Sequence, residues 1–261
     1  MTHRSLTLFC EVLMLIYIGF DDTDTPDADR GTGKLARWFE AELPPTCRLW
    51  GVVRQQLLLD DAIPYTSHNS SACVVVESPD HDPSLIDDLT FRAIGHIERL
   101  SLPGSDPGLC LSYEGHPTLS KLISFGRECA TRIVTQKDAL QAALGAHLSG
   151  HGGTNEGIIG AAAGVGLTAY GWCGRFIEFG KLRDFPEEVT VSELERAGIT
   201  VVSIDRDATV PDPEDLVNTN GWLRPRLWGG KPGLPVNSKG KNLWVTLGGK
   251  RKTDKGEKRR E

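Results

Sequence analysis

The sequence predicts a mixed α/β protein, and three observations carry the prediction. A short apolar run, Leu13 to Phe20, ends in the carboxylates Asp21, Asp22 and Asp24. A strand–helix–strand pattern runs from Ala72 to Ser112, and a glycine-rich turn, Gly150 to Gly157, feeds the small-residue segment Ile158 to Leu167. Continuous apolar runs mark buried strands, and apolar positions three and four apart mark helices. The chain has 261 residues, 39% hydrophobic and 25% charged, enough to bury the core of one large domain or two smaller ones. A net charge of −6 argues against a generic polyanion binder.

The acidic turn organises the reading. Three carboxylates within four residues repel one another unless a cation or a set of donors neutralises them. Oxygen ligands at a strand end suit Mg²⁺, which takes one or two carboxylates plus substrate phosphates. Downstream, Gly31 and Gly33 let backbone amides approach an anion, and Thr32 suits the cap of a helix starting near Gly33. Strand, acidic turn, glycine loop and helix start together describe a metal–nucleotide site. The same residues also read as a solvated acidic turn with an ordinary helix cap. Gly31-Thr32-Gly33-Lys34 is not a Walker A loop, because Ala28 and Leu35 stand where that motif needs Gly and Ser/Thr.

Leu35, Trp38, Phe39 and Leu43 recur at helical spacing until Pro44-Pro45 stops them. Leu49 to Leu59 reads as a strand, and so does Ala72 to Glu77. A helix follows from Pro83, with Leu85, Ile86, Leu89, Ala93, Ile97 and Leu100 on its apolar face, then a short strand, Leu109 to Ser112. That β-α-β unit fits half of a ferredoxin-like domain. Helices are expected over Leu119 to Ile133 and Lys137 to Leu148, with His147 as a capping or core residue. In the next turn Gly152, Gly153, Asn155 and Gly157 suit a loop hugging a ligand; tight helix packing explains the glycines equally well. Phe176 to Leu182 and Ile199 to Ile204 read as strands, and Ser192 to Glu195 as a capping box. Asn218 to Gly233 reads as a loop in which Trp222, Arg224, Arg226 and Trp228 interleave, a pattern that stacks bases or simply packs a surface. Asn242 to Leu247 closes the strands.

Residues 1–13 read as an N-terminal extension ahead of Met14, which fits a start on the first strand. Glu11 interrupts any signal-like apolar region, and no apolar run reaches membrane-spanning length. The tail from Lys250 to Glu261 sets seven Lys/Arg against three acids, too polar to fold. The six cysteines form no CxxC pair, which excludes a zinc ribbon and fits a reducing cytoplasm. Cys73 and Cys110 read as core thiols.

Gly19-Phe20-Asp21-Asp22-Thr23-Asp24-Thr25-Pro26, followed by Thr32 and Leu35-Ala36, resembles the opening "GIDDTDSP…CTTYLA" of the archaeal isoleucine-tRNA 2-agmatinylcytidine synthetase family. Ile63-Pro64-Tyr65 with Ala72-Cys73-Val74 is similar to that family's "IPYKTRGNGAV", Asp106-Pro107-Gly108 to its "NPG", and Gly150 to Ala163 to its "GyGnGrGlIGALAA". The resemblance implies a kinase-like α/β domain, residues 14–62 plus 116–180, interleaved with a ferredoxin-like domain, residues 63–115 plus 181–248. The basic tail, 249–261, lies outside both.

The resemblance further implies ATP and Mg²⁺ as cofactors and phosphoryl transfer or a ligase-type reaction. Asp21, Asp22 and Asp24 would hold metal. Thr32 aligns with a family threonine that is autophosphorylated, and Lys34 would neutralise developing charge. Gly31, Gly33, Gly152, Gly153, Asn155 and Gly157 would shape the nucleotide pocket. The acceptor would be tRNA, another RNA, or a small amine-reactive molecule. Three departures reduce positive charge: Thr66 and His68 replace a family Lys and Arg, and Glu156 replaces an Arg. Counterparts of the family's OB-fold and zinc ribbon are not found. A binding module derived from the same fold, without catalysis, is the second reading.

Overall fold

The computed structural model describes residues 13–63, 69–79, 83–207 and 209–247. Residues 1–12 of the N-terminal extension and the basic tail lie outside the described residues. Strand β1 (Met14–Asp21) is followed by helix α1 (Thr32–Trp38), which tightens into a 3₁₀ turn over Phe39–Glu42. Next come β2 (Arg48–Gln56), β3 (Ser70–Ser78), α2 (Pro83–Leu100) and β4 (Gly108–Tyr113). β1 pairs antiparallel with both β3 and β4, and β2 pairs antiparallel with β3, giving the spatial order β4-β1-β3-β2. This is the β-α-β-β-α-β arrangement of a ferredoxin-like sheet. The β3-α2-β4 unit expected from sequence is present, but β1 and β2 complete its sheet, not strands from 181–248. A boundary at 62/63 therefore falls between hydrogen-bonded neighbours, not between two sheets.

β1 reads as an unbroken apolar run because both of its faces are covered. Ile16, Ile18 and Phe20 point to α1 and α2, where they pack with Leu35, Phe39, Leu89 and Ile97. Tyr17 points the other way, with Cys73, Val75 and Cys110. Phe20 and Phe39 are fully buried, each contributing about 1.5–3 kcal/mol by leaving water. The second face is covered by α3 (Leu119–Cys129), α4 (Gln136–Ala142) and α5 (Gly157–Tyr170). α5 is apolar on every side, as a helix enclosed by a sheet and its neighbours must be. Its small residues let it lie directly on β1: a Cβ at Gly19 would sit 2.2 Å from the Ala161 carbonyl oxygen.

The helix expected to reach Leu148 stops at Ala142, because Gly145 turns the chain at φ +99°. His147 then opens the edge strand β5 (His147–Gly150), which pairs with β4, and is not a helix cap. Its Nε2 contacts Ser149 Oγ at 2.8 Å.

The remaining strands continue the same sheet beyond β2. They are β6 (Arg175–Glu178), β7 (Glu188–Thr190), β8 (Thr200–Ser203), β9 (Leu216–Asn218), β10 (Arg226–Trp228), β11 (Lys231–Gly240) and β12 (Leu243–Thr246), with α6 (Val191–Arg196) between β7 and β8. The order from β2 runs β6-β10-β11-β12-β9-β7, with β8 parallel to β11. Val53, Phe176, Leu194, Leu234 and Trp244 belong to the core beneath it. Two sequence readings need correction here. The capping box is Thr190 with Glu193, two residues earlier than Ser192 to Glu195, because the helix begins at Val191. The stretch read as a loop to Gly233 contains β10 and a hairpin into β11. Gly229 and Gly230, at φ +60° and +74°, form the two-residue turn that such a hairpin favours.

His96, on α2, is buried beside Phe39, with ring centroids 5.3 Å apart, and its Nε2 lies 2.9 Å from the Leu35 carbonyl oxygen. Burial pushes its imidazole below the ordinary range, against the pull of that bond and of Glu42. The unfolded chain therefore binds the proton more readily, and stability linked to His96 is present above the ordinary imidazole value and lost as pH falls. We expect the stability advantage of wild type over His96→Gln, measured by urea unfolding, to shrink as pH falls from about 7.5 to about 5.

Candidate active site

A cleft of about 790 Å³ opens at the C-terminal ends of β1 and β2. Its walls carry Asp21, Asp22 and Asp24 from the acidic turn, Gly31 to Lys34 from the start of α1, and Gly157 and Gly160 from the start of α5. The register explains the convergence. Asp21 pairs with Gly108, and the backbones of Gly108 and Gly157 approach so closely that a Cβ on Gly108 would sit 2.1 Å from the Gly157 carbonyl carbon. This contact seats the first turn of α5 on the end of β1. A Cβ at Gly160 would meet Asp21 Oδ2 at 1.8 Å, so the carboxyl occupies the space a side chain there would need.

The acidic turn is tied down from two sides. The Thr23 amide and hydroxyl both donate to Thr32 Oγ1, at 3.2 and 3.1 Å, which joins the turn to α1. The Asp106 amide donates to the Asp22 carbonyl at 3.1 Å, and the Leu102 amide to the Thr23 carbonyl at 3.1 Å. Between these ties Asp22 adopts φ +50°, a left-handed conformation that Asp tolerates better than most side chains.

Burial pushes the Asp21 carboxyl well above the ordinary carboxylate range, and Asp22 beside it pushes further. Asp22 is raised to about 6 by burial, then by Asp106, Asp24 and Glu156. Asp24 is raised by burial, with Arg54 pulling it back. The group is short of positive charge, which is the condition a divalent cation relieves. Among the described residues no three His, Cys, Asp or Glu side chains form a ready-made metal cluster. Asp21 and Asp22 at the cleft could supply the one or two carboxylates that Mg²⁺ takes, with water and phosphate completing its shell.

The other wall is basic and aromatic. Arg37, Arg54 and Arg183 line it, with Trp222. Arg37 and Arg183 share Glu178, at 2.8 and 3.5 Å, and Arg183 stacks 4.7 Å over the Trp222 ring. Arg54 donates to Ser70 Oγ at 2.9 Å. Lys34 lines the cleft with its ammonium 5.2 Å over Trp38.

Of the residues picked out from sequence, Asp21, Asp22, Asp24, Gly31, Thr32, Gly33, Lys34 and Gly157 come together around this cleft. Gly152, Gly153 and Asn155 stand behind it. Their turn wraps the Asp106 carboxylate, which accepts from the Thr154 amide and hydroxyl at 2.9 and 2.5 Å and from the Asn155 amide at 2.8 Å. Although desolvation opposes them, these bonds hold the Asp106 carboxyl below its ordinary range. The turn's amides thus grip a protein carboxylate. Replacing Asp106 by Ala is expected to speed amide hydrogen exchange across 152–156 while the middle of α5 stays protected. Pro64, Tyr65, Thr66 and His68 lie outside the described residues. Sequence reading missed Arg37, Arg54 and Arg183 as cleft residues. An arginine inside the apolar run of β2 was the one available signal for Arg54.

The fold and the cleft together define a mixed α/β protein with an acidic turn and a helix start facing a basic wall. No family model matches the chain, and no curated protein does. Part of the chain is similar to solved structures of TiaS, a tRNA agmatidine synthetase. For the TiaS complex with an isoleucine tRNA and ATP the identity is 24% and the TM-score 0.48, over 59% of this chain and 36% of that one. For its complex with the same tRNA, AMPCPP and agmatine the values are 21% and 0.49, over 70% and 44%. A structure described as a tRNA fluorescent labeling enzyme gives 24% and 0.48, over 58% and 36%. The chain spans less than half the length of these proteins.

Proposed function

We propose that the chain is an enzyme that binds ATP with Mg²⁺ in this cleft and transfers a phosphoryl group to an acceptor, or activates it for attack by an amine. The observation that carries the reading is the meeting of an under-neutralised acidic turn with the α5 N-terminus, opposite a basic wall. The sequence motifs around Asp21 and Gly157 support it independently. Mg²⁺, when bound, supplies the positive charge that phosphate oxygens and the acidic turn both need.

Asp21 and Asp22 hold the cation, directly or through water, with Asp24 supporting from the Arg54 side. Thr32 keeps its oxygen at the cleft through the Thr23 bonds, where it contacts or accepts phosphate. Lys34, which lines the cleft, would neutralise charge developing on the phosphates. The amides of Gly31, Gly33 and Gly157 approach the nucleotide, and Gly152, Gly153 and Asn155 shape the turn that supports α5. tRNA, another RNA or a small amine-reactive molecule are the acceptors to try first, with a small amine as the attacking partner. The tRNA and agmatine named for the similar solved structures give concrete probes. Free Cys47, Cys73, Cys110, Cys129 and Cys173 suit a reducing cytoplasm. No helix among the described residues is long and apolar enough to cross a membrane.

The test is ATP turnover with each candidate acceptor, with and without Mg²⁺. Mg²⁺-dependent, acceptor-stimulated release of phosphate or pyrophosphate is the expected result. The second reading, a nucleotide- or RNA-binding module without catalysis, is favoured by one feature: Asp106 already fills the turn whose amides would otherwise meet an anion. Binding of ATP or RNA without turnover would establish that reading instead.

A further inference from the structure

The basic side of the cleft continues outward along the sheet. Arg54 on β2 is the direct cross-strand partner of Arg175 on β6, and Arg175 is the direct partner of Arg226 on β10. Direct partners in antiparallel strands project from one face, and strands lie about 4.8 Å apart, so the backbone positions of the three arginines stand in a row about 10 Å long on one face. Their neighbours Val53, Phe176 and Leu227 are buried in the core on the opposite face. Arg224 stands close enough to Arg175 and Arg54 that, after burial, their charges lower its guanidinium. Arg224 lies 4.6 Å over the Trp222 ring, and Arg226 lies 5.5 Å over the Trp228 ring.

Among the described residues no salt bridge involves Arg54, Arg175, Arg224 or Arg226. Asp24 is the acid whose charge reaches Arg54. Like charges set directly opposite each other weaken a sheet. A compact anion bridging the row would remove that repulsion, and the planar guanidinium fork matches phosphate oxygens. An extended polyanion fits less well, because the facing wall carries Asp21, Asp22, Asp106 and Glu156 and the chain's net charge is −6.

We propose that the Arg54–Arg175–Arg226 row is a binding subsite for a small molecule carrying a pyrophosphate or two phosphate groups, held with one end at Arg54 in the mouth of the cleft. The subsite adjoins the nucleotide cleft at Arg54 but needs no metal; its role in the reaction rests on the proposed function. It would let the enzyme select an anionic acceptor.

The test uses the full chain in EDTA, with inorganic pyrophosphate as probe and melting temperature as readout. We expect a saturable rise in wild type, an apparent affinity at least about tenfold weaker in the Arg175→Gln/Arg226→Gln double variant, and an undiminished rise in Lys34→Gln. Arg175→Lys, which keeps the charge and loses the fork, should fall between the two. No rise in wild type, or an equal rise in the double variant, would overturn the subsite. Binding of a ten-residue oligouridine through Arg175 and Arg226, without any pyrophosphate effect, would overturn the small-molecule assignment in favour of an RNA strand. Mg²⁺-dependent ATP binding, measured on the same double variant, should be unchanged, so loss of this subsite and failure of the nucleotide site are told apart.

Discussion

Replacing Asp22 by Asn should lower Mg²⁺-dependent ATP turnover by about 10²–10³-fold, the scale on which single electrostatic groups act in transition states. Asn has the same shape and accepts the left-handed backbone that Asp22 adopts at φ +50°. The tie from the Asp106 amide to the residue 22 carbonyl is also kept. The variant therefore removes charge and little else. Asp22 is raised to about 6 by burial and by Asp106, Asp24 and Glu156, so near neutral pH its ionised form is held against repulsion. Taking that charge away should leave the melting temperature unchanged or higher in the absence of metal. Turnover should thus collapse without any loss of stability, which separates a site role from a structural one. Unchanged turnover in a folded Asp22→Asn protein would remove the acidic turn from the mechanism.

The second large effect is expected at Gly157. An Ala there would place its Cβ 2.2 Å from the Asp106 carbonyl oxygen and 2.6 Å from the Gly108 nitrogen, both backbone atoms that cannot swing aside. Overpacking of this kind costs about 3 kcal/mol, or about 6–12 °C in melting temperature for a chain of this size. Separating α5 from the end of β1 would also move the Gly157 amide away from the acidic turn, so ligand response should fall together with stability. Thermal unfolding with and without nucleotide checks both. A Gly157→Ala protein as stable as wild type would mean that the close approach of β4 and α5 is not what seats the site.

Much of this arrangement could be read before the fold was known, for physical reasons that differ from residue to residue. β1 and its acidic end were legible because a strand covered on both faces must be apolar throughout, so three carboxylates at its tip stand out. α5 was legible from its glycines and alanines, which leave room for a neighbouring backbone. The end of α4 was misplaced because Gly145 lies within an otherwise helical pattern, and only its φ of +99° shows that it ends the helix. The β10–β11 hairpin was hidden by its arginines and tryptophans, although Gly229-Gly230 marked the turn. Non-local relations were out of reach. The Asp106 clamp joins residues 48 and 49 positions apart. The arginine row depends on the pairing of β2 with β6 and of β6 with β10, which no local pattern specifies.

The central claim is that the cleft is a metal–nucleotide site, and its most direct test is calorimetric titration of the wild-type chain with a non-hydrolysable ATP analogue. We predict saturable one-to-one binding that requires Mg²⁺ and weakens sharply in Asp22→Asn. Binding of equal strength without Mg²⁺, or none at millimolar analogue, would contradict it.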